Sequence, residues 1–156
     1  MAAINLIERQ GRESILGDAY LNCLLEFNNS NLSYIVFDFH QHCRGMRFSN
    51  VNILIDNIQE QIKEQLFFWK DNNGVICKQT GVFRVNCVDC LDRTNLVQSA
   101  IAKAVLLTQM NKLALLAPDE PFNIRKAFQH IWANNGDCIS RQYAGTSALK
   151  GSRKNN

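Results

Sequence analysis

Cys87 and Arg93 are separated by five residues in the run Arg84-Val85-Asn86-Cys87-Val88-Asp89-Cys90-Leu91-Asp92-Arg93-Thr94-Asn95. A thiol and a guanidinium at that spacing can close one short loop around a phosphate. An apolar, helix-like stretch from Leu96 to Met110 follows at once. The loop is therefore expected at a helix N-terminus, where backbone N–H groups and the helix dipole favour an anion. A free thiol has a pKa near ~8.5, and a helix N-terminus with a nearby cation lowers it to roughly 3.5–7.5. The resulting thiolate is a nucleophile able to attack phosphorus and form a covalent intermediate. Arg93 can grip two phosphate oxygens as a bidentate fork and stabilise charge during phosphoryl transfer. The backbone of Val88, Asp89, Cys90, Leu91, Asp92, Arg93 and Thr94 would supply the rest of the cradle. Asp89 and Asp92, inside the loop, are the candidates for protonating a leaving oxygen and activating water.

Competing readings of the same residues exist. Cys87 and Cys90 form a Cys-x-x-Cys pair, and a structural zinc site would need further ligands, for which His40, His42 and Cys43 are available. Two aspartates and an arginine between and beyond the cysteines have no role in a zinc knuckle, so phosphate chemistry ranks first. A thioredoxin-like reading finds no other support. Cys-x5-Arg alone is a weak pattern; the twelve-residue run ahead of a helix is far more specific.

That run resembles the signature loop of the Sac-domain (suppressor-of-actin) phosphoinositide phosphatases. Phe37-Asp38-Phe39-His40-Gln41-His42-Cys43-Arg44-Gly45-Met46 resembles a second segment of the family. So does Trp132-Ala133-Asn134-Asn135-Gly136-Asp137, continuing through Ser140 to Thr146 and Ala148 to Gly151. The likeness runs from about Asn5 to Gly151 and is nearest to the soluble, endosome-associated branch that removes the inositol 4-phosphate. It implies Cys87 as nucleophile, Arg93 as clamp, Asp89 as general acid with Asp92 second, and no metal or other cofactor. It implies a phosphoinositide in a membrane surface as substrate and a cytoplasmic, peripheral location on endosomal or other endomembranes. The family's domain is much longer, so residues 1–151 read as part of a Sac catalytic domain, and residues 152–156 as a tail off the family's pattern. A binding module that keeps the cradle but turns over poorly is the alternative.

Composition fits a globular piece of one domain. The chain has 156 residues, is 46% hydrophobic and 20% charged, and holds two prolines, which argues against disorder. A net charge of +3 carries no nucleic-acid signature. Arg44, Arg47, Arg141, Lys150, Arg153 and Lys154 could face an anionic membrane, although ordinary solvated charges read the same way. Six cysteines without framework spacing suggest a reducing compartment. The N-terminus carries no signal-peptide pattern, and no apolar run reaches the ~20 residues of a membrane span.

The pattern along the chain predicts an α/β fold, a cysteine-phosphatase-like sheet flanked by helices with the phosphate loop between a strand and a helix. A helix is expected over 12–27 with Ile15, Leu16, Ala19, Leu24 and Phe27 near one face, then a turn at 28–31. A buried strand is expected over 32–39, and a polar loop over 40–50. Val51, Leu54, Ile58, Ile62, Leu66 and Trp69 predict one long amphipathic helix ended by Asp71-Asn72-Asn73-Gly74. Strands over 75–77 and 82–85, joined by a turn at Gly81, would deliver Cys87 to the carboxyl edge of a sheet, where open α/β sheets bind ligands. A helix over 94–110 capped by Thr94 or Asn95 follows, with the Thr94 hydroxyl also a possible partner of the Cys87 thiolate. Pro118 and Pro121 mark a loop, and a further helix over 123–133 is expected to stop at Asn134-Asn135-Gly136. His40, Arg44, Asp137 and Arg141 are possible substrate contacts. Surface bonding, helix capping and local ion pairs are the commoner fates of such residues.

Overall fold

The computed structural model describes residues 1–115 and 121–148. The chain divides into two compact units, 1–88 and 89–156.

The first unit contains five strands: β1 (Ala2–Asn5), β2 (Ser33–Val36), β3 (Trp69–Asp71), β4 (Gly74–Cys77) and β5 (Phe83–Asn86). Its helices are α1 (Ser14–Phe27), α2 (Phe39–His42), α3 (Val51–Asn57) and α4 (Gln59–Gln65). Strands β2, β1 and β5 form a parallel sheet in that order, with β1 in the middle. Sequence patterning missed β1, because Ala2 to Ile7 is a short apolar run without alternation. Buried on both faces, a central parallel strand has no reason to alternate, and Ala3, Ile4 and Leu6 are fully buried. Leu54 and Ile58 join them in the core.

Several expected elements are corrected. The strand after the turn stops at Val36, and β2 is an edge strand exposed at Ser33 and Val36 rather than a buried one. Asp38 ends the extended run: its carboxylate accepts the Gln41 N–H at 2.8 Å and starts α2, so Phe39 is helical. The expected polar loop is a string of short helical turns, α2 followed by single 3-10 turns at Arg44–Met46 and Phe48–Asn50.

The expected long helix is two. It breaks at Ile58, and Leu66, with φ 56° and ψ −164°, ends the second piece. The last carbonyls of α4 are taken by Thr80, whose N–H reaches Gln65 O at 2.8 Å and whose hydroxyl reaches Glu64 O at 3.1 Å. Trp69 therefore lies in β3, and Asp71 to Gly74 is a hairpin turn. There the Asp71 side chain accepts the N–H groups of Asn73 and Gly74. The strands β4 and β5 are not a hairpin across Gly81: β4 pairs antiparallel with β3, and β5 pairs parallel with β1. The α1 stripe buries no residue, and Ile15, Leu16 and Phe27 are exposed. Periodicity shows which face is apolar, not what covers it.

The second unit holds α5 (Asp92–Lys112) and α6 (Pro121–Ala144). Helix α5 starts two residues before the expected Thr94, with Leu91 at the N-cap position and no side-chain cap. Helix α6 does not stop at Asn134-Asn135-Gly136 but runs eight residues past Gly136. Gly136 serves packing instead of termination. A Cβ there would lie 2.9 Å from Asn95 Nδ2, so only glycine lets the Asn95 side chain sit against α6. Pro121, expected in a loop with Pro118, is instead the first residue of α6, while Pro118 lies outside the described residues.

Candidate functional site

The first unit gathers chemistry at one edge of its parallel sheet. Asn5 is paired in register with Val36 on one side and Asn86 on the other. All three strands thus end at the same level, and the segments that follow leave the carboxyl edge together. These are Leu6 to Arg9, Phe37 to His42, and Cys87. Ladder bonds continue just past the strand ends, with Leu6 N–H donating to Asn86 O at 2.8 Å and Phe37 N–H to Asn5 O at 2.9 Å. Cys87 is the first residue after β5 and is 8% exposed.

Buried polar groups brace this edge. Asn5 Nδ2 donates to the Tyr34 hydroxyl at 2.8 Å, and Asn5 Oδ1 accepts the Ile7 N–H at 3.2 Å. A buried asparagine in an apolar run must find such partners, and that was its only signal in the sequence. Asp38 holds two segments: beyond capping α2, it accepts the Arg9 N–H at 2.9 Å. His40, expected near substrate, stands at this edge with Nδ1 3.5 Å from Glu8 Oε1. His42 stacks on Phe37 at 4.7 Å between centroids. Arg44 is exposed on the turn beyond. On β5, Arg84 Nε donates to Asn86 Oδ1 at 2.8 Å, while Asn86 Nδ2 is buried without a partner among the described residues.

The boundary between the units falls between Val88 and Asp89, inside the run of residues 84–95. Asp89, Asp92 and Arg93 therefore belong to the second unit and are joined to Cys87 through Val88. Asp89 is exposed, and its Oδ1 accepts the Leu91 N–H at 3.1 Å. Cys90 has φ 53°, a left-handed conformation uncommon for a non-glycine residue. Asp92 opens α5, and Arg93 lies in its first turn, half-buried. Thr94 is 5% exposed, and its hydroxyl has no hydrogen-bond partner among the described residues. It does not cap α5. Asn95, the other expected cap, lies inside the helix, with its N–H donating to Leu91 O at 2.9 Å.

The remaining sequence candidates make local contacts. Asp137 Oδ1 accepts the Ala148 N–H at 3.0 Å, and Arg141 Nη2 is 3.5 Å from Ser147 Oγ. Lys150, Arg153 and Lys154 lie outside the described residues. Among the described residues no three His, Cys, Asp or Glu side chains are grouped to hold a metal ion, and no helix is long and apolar enough to cross a membrane. All six cysteines are thiols, with Cys43 and Cys87 buried and Cys90 exposed.

Comparison with known proteins places these features in context. Residues 1–44 match the model of the SacI homology domain. The chain is 57% identical over 150 residues to the human phosphatidylinositide phosphatase SAC2, covering 95% of this chain and 13% of that protein. It is 54% identical over 153 residues to the Danio rerio phosphatidylinositide phosphatase SAC2, covering 97% of this chain and 14% of that one. It is 40% identical over 154 residues to the Drosophila melanogaster phosphatidylinositol-3-phosphatase SAC1, covering 95% of this chain and 26% of that one. The chain thus spans from 13% to 26% of the length of these relatives.

Proposed function

We propose that this chain, a stretch of the Sac-domain phosphoinositide phosphatase family, carries the nucleophile and the phosphate clamp of that activity. It removes a monoester phosphate from the inositol ring of a membrane phosphoinositide. One observation carries the reading: a parallel strand ends at Asn86, and a 21-residue helix starts at Asp92. The intervening residues 87–91 form a short loop between the carboxyl end of the strand and the positive end of the helix dipole. Strand, loop and helix in that order support a cysteine-phosphatase-like arrangement. The orphaned, buried Thr94 hydroxyl in the first turn is a second support, since a donor without a partner is suited to an anionic oxygen.

The reaction runs in two steps. The Cys87 thiolate attacks phosphorus, forming an S–P bond as the bond from phosphorus to the inositol oxygen breaks. The leaving oxygen takes its proton from Asp89, with Asp92 as second candidate. Arg93 holds two equatorial oxygens, and backbone N–H groups of residues 88–94 complete the cradle. The deprotonated carboxylate then takes a proton from water. The water oxygen attacks phosphorus, the S–P bond breaks, and inorganic phosphate leaves with the Cys87 thiolate restored. Asp89 starts this cycle bonded to the Leu91 N–H, so phosphate entry exchanges that bond for one to a phosphate oxygen.

We propose that the 4-phosphate of the ring is the one removed. Identity is higher to the SAC2 relatives than to the SAC1 relative, whose name specifies the 3-phosphate. With the resemblance to the 4-phosphatase branch, this favours phosphatidylinositol 4-phosphate, met peripherally at endosomal or other endomembranes. The test is phosphate release from short-chain phosphatidylinositol 3- and 4-phosphates, with EDTA present, by this chain and its Cys87→Ser variant. Release that favours the 4-phosphate, survives EDTA and is lost in the variant is the expected result. A folded chain that binds the headgroup without releasing phosphate would instead be the binding module.

A further inference from the structure

Asn95 uses both ends of its amide to tie α5 to α6. Its Nδ2 donates to the Trp132 carbonyl at 3.1 Å, and its Oδ1 accepts from Asn135 Nδ2 at 2.8 Å. The seat exists because Gly136 has no side chain: an added Cβ would come within 2.9 Å of Asn95 Nδ2 and 3.3 Å of its Cγ. A glycine in a helix interior is destabilising relative to alanine. Helix α6 accepts that cost at the position where Asn95 docks. Two bonds of different direction, to a backbone carbonyl and to a side chain, fix both the rotation of α5 about its axis and its register along α6. Arg93 lies two residues earlier, about 200° around the helix at 3.6 residues per turn. Clamping Asn95 against α6 therefore sets the direction in which Arg93 leaves the opposite side of the same turn.

We infer that Asn95 is a positioning residue for the phosphate clamp, acting through Trp132, Asn135 and Gly136. The inference rests on the reading of Arg93 as that clamp. Displacing a group by about 1 Å can cost on the order of a hundredfold in rate, so small rotations of this turn matter.

The test compares the chain with Asn95→Ala, Gly136→Ala, the double variant, and Asn111→Ala as a control at the exposed far end of α5. Three readouts are taken: kcat and KM on short-chain phosphatidylinositol 4-phosphate, the melting midpoint, and NMR signals of the residue 92–94 amides and the Arg93 Nε–H. Asn95→Ala and Gly136→Ala are each expected to lower kcat roughly 10- to 100-fold, with KM changed far less. The double variant is expected to lose no more than the worse single one, because both break the same seat. The signals of residues 92–94 and the Arg93 Nε–H should move in all three and stay fixed in the control. Unmoved signals in Asn95→Ala, or a lowered melting midpoint with unchanged kcat, would overturn the inference. A parent chain that hydrolyses nothing would count against the phosphatase reading, and the NMR comparison would still decide whether Asn95 positions the turn.

Discussion

Asn5 and Asn86 are register partners on adjacent parallel strands, joined just beyond by the Leu6 N–H to Asn86 O bond at 2.8 Å. This pairing fixes where the sheet stops, and so where Cys87 begins. The side chain of Asn5 is itself held by the Tyr34 hydroxyl on the opposite neighbouring strand and by the Ile7 N–H. The three-stranded sheet thus ends one residue before Cys87.

Replacing Asn5 by leucine should destabilise the chain by about 1–3 kcal/mol, because the Tyr34 hydroxyl and Ile7 N–H lose their buried partner. Denaturant titration measures it. Leu54→Ala, at a site 1% exposed, should cost about 2–5 kcal/mol by the same method. A smaller loss for Asn5→Leu than for Leu54→Ala is the expected order.

Arg93→Lys keeps the charge but not the two-pronged geometry. Phosphate release should fall roughly 10²- to 10³-fold, the scale for losing one preorganised donor to a transition-state oxygen. The loss should appear in kcat/KM with the melting midpoint little changed. An Arg93→Lys variant as active as the parent would remove arginine geometry from the account.

Asp89→Asn and Asp92→Asn separate the two candidate acids. The true acid should lose roughly 10²- to 10⁴-fold in rate on a substrate with a poor leaving group. It should lose much less on an aryl phosphate, whose leaving group needs no proton. Asp89 is expected to show this pattern and Asp92 not. A reversed pattern reassigns the acid to the first residue of α5.

Cys90 sits at φ 53°, where glycine is at ease and a β-branched side chain is not. Cys90→Gly should therefore relieve the backbone cost at this position, whereas Cys90→Val should strain the loop by about 1–2 kcal/mol. Activity and thermal midpoint of the two variants, compared side by side, check this.

The candidate loop stands out in the sequence because unlike residue types, two thiols, two carboxylates and a guanidinium, fall in one short stretch. The helix after it and the α/β class were also readable. Central strand β1 was not, since burial on both faces erases alternation. The single helix expected from Val51 to Trp69 failed because its apolar spacing continues through Ile58 and Leu66, where the backbone turns away. Gly136 was misread as a stop: composition cannot tell a glycine that ends a helix from one that admits a neighbour. The distant partners, Tyr34 for Asn5, Arg9 for Asp38, and Trp132 and Asn135 for Asn95, lie 29 to 40 residues away in the chain, beyond the reach of local patterning.

The proposed reaction passes through a covalent phosphoryl group on Cys87. The direct measurement is to quench the chain during turnover of short-chain phosphatidylinositol 4-phosphate, digest it, and map the added phosphoryl mass by peptide mass spectrometry. That mass is expected on the peptide carrying Cys87, absent without substrate and absent in Cys87→Ser. Turnover with the phosphoryl group on another residue, or continued turnover by Cys87→Ser, would contradict it.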